Sequence, residues 1–411
     1  MNLAPQIEHY LPQQLLELVR NISLEAARLG QKIYLVGGAV RDLFLGYPSF
    51  DLDLVIEGDA VELAQRIAKI SDTKLIIHPR FGTAKLSYSN FTLDLATARG
   101  ETYARPGALP AVTPGTLNND LFRRDFSINA MAISLNQNNY GELIDPYQGK
   151  SDLEHHLIHI LHPRSFSDDA TRILRAVRYE QRLGFELEPQ TAQLLKRDIP
   201  MLDTISGDRI RHELELILRE RCPEYAIKRL GELGVLQRIN PSLKGDGWIA
   251  EKFDKARALS KPSQLSSLYL CLLVYPLNEK ENEQCIHRLN IPKKSASVLH
   301  DTLRLKSRLY LLDKSFTKYS EIYYLLHEYD PLAIQSNAMA SESPVVCSYL
   351  ELFLTKLRYV KTSLNGEMLK RLGISSGPEL GKILQILHKA KLDGEVKTKA
   401  EEEKLALLLK P

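Results

Sequence analysis

The apolar positions of the chain fall into two regimes. Up to about residue 210, strand-like and helix-like spacings alternate; beyond Glu213 the spacing is almost entirely helical. In the first regime, Ile33 to Val36 is an unbroken apolar run that stops at Gly37-Gly38. Val40 to Leu45 follows with helical spacing up to Gly46 and Pro48, and Phe50 to Ile56 alternates polar with apolar. That succession predicts strand, glycine turn, short helix, second strand. On either side, positions 7–29 predict one helix through Leu11, Leu15, Leu16, Val19 and Ile22, and Asp59 to Ile70 predicts another through Ala60, Leu63, Ala64 and Ile67. Lys74 to Ile77 reads as a strand. Phe81–Leu86 and Phe91–Ala96 read as a hairpin turning at Ser89-Asn90. Arg99 to Asn119, broken by glycines and prolines, reads as a long loop, a feature that inside a compact domain is often functional. Phe166 to Phe185 reads as one helix, with Ser167 as its N-cap, Ile173, Leu174, Val177 and Leu183 on its buried face, and Gly184 as its stop. In the second regime helices are expected over Tyr225–Leu236, Trp248–Leu277, Glu281–Leu289, Ala296–Leu312, Phe316–Glu328 and Val345–Tyr359, then two more on either side of Gly373–Gly377.

Composition narrows the class. The 411 residues suffice for two to four compact units. The four cysteines, Cys222, Cys271, Cys285 and Cys347, form no Cys-x-x-Cys pair, which argues against zinc and against a disulfide framework. A net charge of +3 permits nucleic-acid binding without announcing it. No apolar run is long enough to span a bilayer, and the N-terminal residues lack the blocks of a signal peptide, so a cytoplasmic protein is expected.

The first chemical signal is the pair Asp51 and Asp53. On a strand they project from one face while Leu52 and Leu54 take the other. Two neighbouring carboxylates repel unless a cation sits between them, and Mg²⁺ suits oxygen ligands shared with phosphates. The glycine turn before them, with the free N–H groups that open the next helix, suits a phosphate. Either feature alone is usually a plain turn or a solvated strand edge; together they point to a site for a metal and a nucleoside triphosphate. Asp94, on the predicted hairpin, is a candidate third carboxylate or a plain polar position. The second signal is Asp169 with Arg172. A carboxylate accepts from an amine and an arginine donates to ring acceptors. Cytosine and adenine each present an amine beside an acceptor, whereas guanine and uracil present a carbonyl in the amine's place. One Asp–Arg pair can therefore take C and A and refuse G and U without a template.

Gly37-Gly38-Ala39-Val40-Arg41-Asp42 followed by Asp51-Leu52-Asp53 resembles the opening motif of the class II tRNA nucleotidyltransferases. These are the CCA-adding, CC-adding and A-adding enzymes, with the bacterial poly(A) polymerases, in the polymerase β superfamily. Arg123-Arg124-Asp125 with Asn129 is similar to the family's second motif, and Asp145, Gly149 and Asp152 to its third, a hinge. Asp168-Asp169 with Arg172 resembles the fourth, with Asp168 where the family has Glu, and Arg209 with Glu213 the last. The resemblance implies an α+β fold: a small mixed-sheet, polymerase-β-like head over 1–140, then all-helical neck (141–222), body (223–312) and tail (313–411), the tail binding tRNA.

It further implies the roles of residues. Asp51 and Asp53 hold two Mg²⁺, with Asp94 as a further catalytic carboxylate. Gly37, Gly38, Arg41 and Arg124 hold the triphosphate. Asp125 and Asn129, expected four apart on a helix, hold the ribose. Asp169 and Arg172 read the base with Asp168 in support, and Arg175 and Arg178 continue near the same face toward nucleotide or RNA. The implied reaction is attack of an RNA 3′-hydroxyl on the α-phosphate of CTP or ATP, with pyrophosphate released. The partners are the tRNA acceptor end and CTP or ATP, and no membrane. Basic residues such as Lys293, Arg304, Lys306, Arg308 and Lys356, spread through the helical remainder, suit RNA phosphates or simple solubility. The 99–119 segment, which in the family is a mobile specificity loop, and Asp168 both depart from full CCA-adding enzymes, so partial addition is favoured. Poly(A) addition to general RNA and RNA binding without catalysis are the alternatives.

Overall fold

The structure, a computed structural model, describes residues 1–410 apart from 49, 50, 72, 89, 315 and 317. It divides into two compact units, Met1–Glu213 and Leu214–Pro411. Phe50 of the second predicted strand and Ser89 of the hairpin turn lie outside the described residues.

The first unit is built on a seven-stranded sheet. Its strands are β1 (Lys32–Val36), β2 (Asp51–Glu57), β3 (Lys74–His78), β4 (Thr83–Ser87) and β5 (Thr92–Thr97). A separate hairpin, β6 (Arg99–Thr102) with β7 (Ala111–Pro114), comes next in the chain, before β8 (Ala132–Ser134) and β9 (Leu143–Ile144) of the sheet. The sheet order is β3-β4-β5-β2-β1-β8-β9, with β2 and β5 parallel and the other neighbours antiparallel. Helices α1 (Ala4–Tyr10), α2 (Gln13–Arg28), α3 (Gly38–Phe44), α4 (Ala60–Ile70) and α5 (Leu117–Phe122) surround it. α2 packs on β1 and α4 on β4 and β5. On the other face Tyr34, Val36 and Val55 meet Leu117 and Leu121 of α5.

Two predicted elements are corrected here. The single helix over 7–29 is two, because Pro12 has no N–H to donate and pushes Leu11 into the extended region (ψ 138°). The Arg99–Asn119 loop is instead the β6–β7 hairpin and the start of α5; Pro106, Gly107 and Pro110 lie in the turn between the strands and Gly100 and Pro114 within them.

After the sheet come α6 (Gly149–Glu154), α7 (Ser165–Asp168), α8 (Thr171–Leu183), α9 (Pro189–Asp198) and α10 (Gly207–Leu218), the last crossing the boundary between units. The Asp145–Asp152 segment acts locally. Asp145 caps α6, accepting from the N–H groups of Gly149 (2.7 Å) and Lys150 (2.9 Å). Asp152 accepts from Ser127 Oγ at 2.5 Å. Gly149 lies so close to the chain at Ser127 that a Cβ on it would stand 2.2 Å from the Ser127 carbonyl oxygen. This contact braces the turn that carries Asp125 and Asn129.

The described residues of the second unit form helices joined by turns, with no strand. Its cores include Leu305, Ile322, Leu326, Ile334, Leu350 and Phe353, and, nearer the C-terminus, Leu364, Leu369, Ile383 and Leu387. The predicted Trp248–Leu277 helix is two, Gly247–Leu259 and Leu265–Val274, parted by a short 3₁₀ turn that starts at Pro262. Pro331–Ala340, absent from the predicted helices, is buried on all sides and so shows no one-sided stripe. Of the scattered basic residues, Lys306 is half-buried, whereas Arg304 and Arg308 are exposed but already have partners on the protein. Lys306 donates to the Tyr275 carbonyl (2.5 Å), Arg304 pairs with Asp301 (2.9 Å), and Arg308 reaches Tyr329 Oη (3.2 Å).

Adding one methyl group at Gly149 forces the α6 start away from Ser127. Overpacking of this kind costs about 1–3 kcal/mol. Gly149→Ala is therefore expected to lower the urea midpoint of the protein measurably, whereas Gly394→Ala, which adds a Cβ with nothing within 4 Å, does so only through its positive φ.

Candidate active site

β1 ends at Val36, and the chain turns through Gly37 with φ +71° and ψ −138° into α3. A left-handed φ is a conformation glycine adopts readily. Gly37 also needs its bare Cα: a Cβ there would lie 2.9 Å from Arg124 Nη1 and 3.4 Å from Asp53 Oδ2. The antiparallel register puts Val36 opposite Asp53, and the parallel register puts Asp53 opposite Asp94. Strand pairing thus brings the turn and the carboxylates together, and Arg124, which follows α5, joins them from the helix side.

A cavity of about 650 Å³ opens at this turn. Of the residues given a catalytic or ligand role from the sequence it is lined by Gly37, Gly38, Asp53, Arg124, Asp125, Asn129, Asp169, Arg172 and Arg175. Asp53 is reached by solvent, yet the surrounding walls displace enough water to push its carboxyl above the usual range. Arg124 opposes that shift; Asp94 and Asp51 add to it. Lys85 also opposes it, but the neighbouring carboxylates offer the oxygen donors that suit a divalent cation. Asp51 shares the strand face and accepts from Thr92 Oγ1 at 2.6 Å. Asp94 lines a smaller neighbouring pocket that Asp53, Arg123 and Arg124 also line, and there Lys85 pairs with it at 3.0 Å. Among the described residues no group of three or more His, Cys, Asp or Glu side chains has metal-holding geometry; the candidate third carboxylate already has an ammonium beside it.

Arg124 is held by a residue that the sequence reading left without a role. Asp120, fully buried on α5, accepts from Arg124 Nη2 (2.9 Å) and from Arg123 Nη2 (2.6 Å). It precedes them by four and three positions, the spacing of helix ion pairs. Arg123 also meets Glu101, which in turn accepts from Arg99 and from Tyr103 Oη (2.9 Å). Glu101, Tyr103 and Pro110 bring the β6–β7 hairpin into the cavity wall.

Asp125 and Asn129 do not lie on an α-helix; the chain there makes a 3₁₀ turn over Ser127–Asn129. They are in contact nonetheless. Asn129 Nδ2 donates to Asp125 Oδ1 (3.0 Å), as does the Phe126 N–H (2.9 Å), and Arg175 donates twice to Oδ2 (2.9 and 2.6 Å). Burial works to raise the Asp125 carboxyl, but Arg175 and Asn129 outweigh it and hold it below the ordinary range. A carboxylate has about four acceptor positions, and all are taken. What remains for a ligand is the second N–H of Asn129. Its carbonyl is used by Arg41, whose Nη1 donates at 2.7 Å while its other nitrogens grip Asp42. Arg41 is therefore a buried brace behind the wall and does not line the cavity, contrary to its expected phosphate contact.

The predicted specificity helix is also broken. α7 ends at Asp168, Asp169 is extended (φ −140°, ψ 99°), and α8 starts at Thr171. Ser167 lies inside α7 and caps nothing. Asp169 Oδ1 accepts from the Thr171 N–H (2.9 Å), Thr171 Oγ1 (2.6 Å) and Arg209 Nη2 (2.8 Å), leaving Oδ2 without a partner among the described residues. The side-chain competition that breaks the helix is the one that fixes this carboxylate. Arg172 is buried; Nη1 donates to Ser165 Oγ (2.7 Å) and Nη2 to the Arg123 carbonyl (2.6 Å). Asp168 and Arg178 lie outside the cavity lining. Glu213 of α10 braces both Arg175 (3.4 Å) and Arg178 (3.7 Å). Arg209, expected only as support, lines the cavity, and its Nη1 is buried with no hydrogen-bond partner among the described residues. Thr171, Tyr179, Asp208 and His212 complete the wall, and none of them was singled out as a ligand.

Two family models match: "Poly A polymerase head domain" over residues 33–159 and "Probable RNA and SrmB-binding site of polymerase A" over 184–246. An A-adding tRNA nucleotidyltransferase of Geobacter sulfurreducens is 33% identical over 98% of this chain. The chain spans about half the length of the curated relatives it matches, 48% of that one. The solved apo form I of a CCA-adding enzyme is 30% identical with a TM-score of 0.81, covering 99% of this chain and 97% of the other. The Thermotoga maritima CCA-adding enzyme complexed with tRNA-CCA is 29% identical with a TM-score of 0.76, covering 99% and 98%. A glycine turn beside paired strand carboxylates, the arginine-lined cavity and these likenesses lead to one assignment: the chain belongs to the family of tRNA nucleotidyltransferases and poly(A) polymerases.

Proposed function

We propose that this protein adds C or A, without a template, to the 3′ end of tRNA in the cytoplasm, taking the nucleotide from CTP or ATP and releasing pyrophosphate. The observation that carries the reading is a single cavity in which the Gly37–Gly38 turn, Arg124 and Asp53 stand with Asp169 and Arg172. It offers a phosphate seat and a base-reading pair at once. Among the three outcomes of tRNA end synthesis, addition of A alone is favoured, since relatives from three bacteria, 33–43% identical, bear that name.

In this reading Gly37 and Gly38 present the turn to the triphosphate and Arg124 neutralises it, held in place by Asp120. The free N–H of Asn129 donates to a ribose hydroxyl, with Asp125 as its buried anchor. Asp169 Oδ2 accepts the exocyclic amine of A or C, and the remaining donors of Arg172 meet the neighbouring ring nitrogen. Asp51 and Asp53 would hold the divalent metal, Mg²⁺, which supplies charge stabilisation at the phosphates and a lowered pKa for the attacking hydroxyl. The lining contains five arginines against six carboxylates, so a triphosphate enters a site with no surplus of positive charge. That balance favours a bound cation.

tRNAs ending before CCA, after C and after CC, each given one nucleotide at a time and sequenced afterwards, test the reading. A single A on the CC-ended tRNA, with G and U refused, is the expected result. Long A tails on unrelated RNA would instead identify a poly(A) polymerase, and no pyrophosphate from any nucleotide would leave only RNA binding. Mispairing a buried polar group costs about 1–3 kcal/mol, roughly 5- to 150-fold. Arg172→Ala is expected to lose discrimination against G and U within that range, measured as a ratio of kcat/KM values. For the metal, Asp53→Asn removes a carboxylate whose ionised form the site disfavours, so the metal-free variant should melt no lower than wild type. Mg²⁺ should raise the Tm of wild type but not of this variant; an equal rise in both would remove Asp53 from the metal site.

A further inference from the structure

Tyr179, on α8, lines the cavity but has no part in the roles above. Three guanidinium groups stand against its ring: Arg178 at 5.3 Å, Arg41 at 5.4 Å and Arg175 at 5.7 Å from the centroid. All are within the roughly 6 Å over which a cation is attracted to an aromatic face. Phe126, the neighbour of Asp125, meets the ring edge-on at 5.9 Å.

Two of these arginines are the outer restraints of the Asp125–Asn129 pair. Arg175 holds Asp125 through Oδ2, and Arg41 holds Asn129 through its carbonyl. Three like charges gathered round one side chain would repel one another. Asp42, Asp125 and Glu213 offset them from outside, and the tyrosine ring stands against all three. Without it, Arg41 and Arg175 would keep their carboxylates but lose the common surface that fixes their separation, and with it the direction of the free Asn129 N–H.

We propose that Tyr179 is a specificity-determining positioning residue: its ring clamps Arg41 and Arg175 so that the Asp125–Asn129 pair selects ribonucleotides over deoxyribonucleotides. The inference rests on the ribose reading of that pair. The ring face, not the hydroxyl, carries the effect.

The test compares kcat/KM for ATP with dATP, and for CTP with dCTP, in four proteins. In wild type the ribonucleotide is preferred. Asn129→Ala tests the ribose reading itself and should reduce the preference. Tyr179→Phe should keep the preference within about twofold, because the ring face is retained. Tyr179→Leu should reduce it by about tenfold, while the choice of C and A over G and U, set at Asp169 and Arg172, stays as in wild type. If Asn129→Ala loses the preference but Tyr179→Leu keeps it, the role of Tyr179 is overturned and the ribose reading stands. If Asn129→Ala keeps the preference, the ribose reading fails and the proposal fails with it. Should Tyr179→Leu not fold, Tyr179→pentafluorophenylalanine preserves the shape and reverses the charge distribution of the ring. The same loss is then expected, and an unchanged ratio overturns the proposal.

Discussion

Charge balance inside one cavity governs the rest of this molecule. Burying an arginine without an acceptor costs several kcal/mol, so every guanidinium in the wall must be tied before a ligand arrives. Each is: Arg123 and Arg124 to Asp120, Arg172 to Ser165 and the Arg123 carbonyl, Arg175 to Asp125, and Arg209 to Asp169. The donors are fixed in advance and need not reorganise, which is the condition under which fixed dipoles and charges act most strongly on a reacting group. The same ties consume most of the positive charge. Asp53 is left as the carboxylate whose ionised form is poorly compensated, and a divalent cation is the natural complement.

The division of labour among oxygen and nitrogen atoms follows from that constraint. Asp169 uses one oxygen for structure and keeps the other; Asn129 uses its carbonyl and one N–H and keeps the second N–H. Each such side chain is immobilised by its used half, so the unused half points in one direction. Gly149, which does not itself line the cavity, contributes in the same way: its bare Cα lets α6 press against Ser127 and hold the turn between Asp125 and Asn129.

Local rules made much of this legible in the sequence. Alternation on one strand put Asp51 and Asp53 on a common face, and the glycine pair marked the turn, because both are properties of a few consecutive residues. What escaped reading was set by distant partners or by competition. Arg41 was expected on phosphate, but Asn129, 88 positions away, takes its Nη1. The helix through Asp169 was expected to run on, but the Asp169 side chain captures the Thr171 N–H and ends it. Tyr179 carries no signal in the sequence, since nothing in its neighbours' spacing reveals that Arg41 lies across its ring. Glycines and prolines hid the β6–β7 hairpin, whose pairing is a non-local fact.

The 2.6 Å bond from Arg172 to the Arg123 carbonyl ties the two halves of the proposed chemistry together. Arg123 ends α5 and shares Asp120 with Arg124, and Arg124 overlies Gly37. A base that fits Arg172 and Asp169 leaves this chain undisturbed, with the phosphate seat in register. A base that pushes Arg172 aside strains the carbonyl of Arg123 and, through Asp120, the arginine at the triphosphate. Discrimination on this reading is expressed twice, once as lost contacts to the base and once as a misplaced phosphate. Transfer rate therefore falls along with affinity, although no nucleic-acid template is present to check the choice.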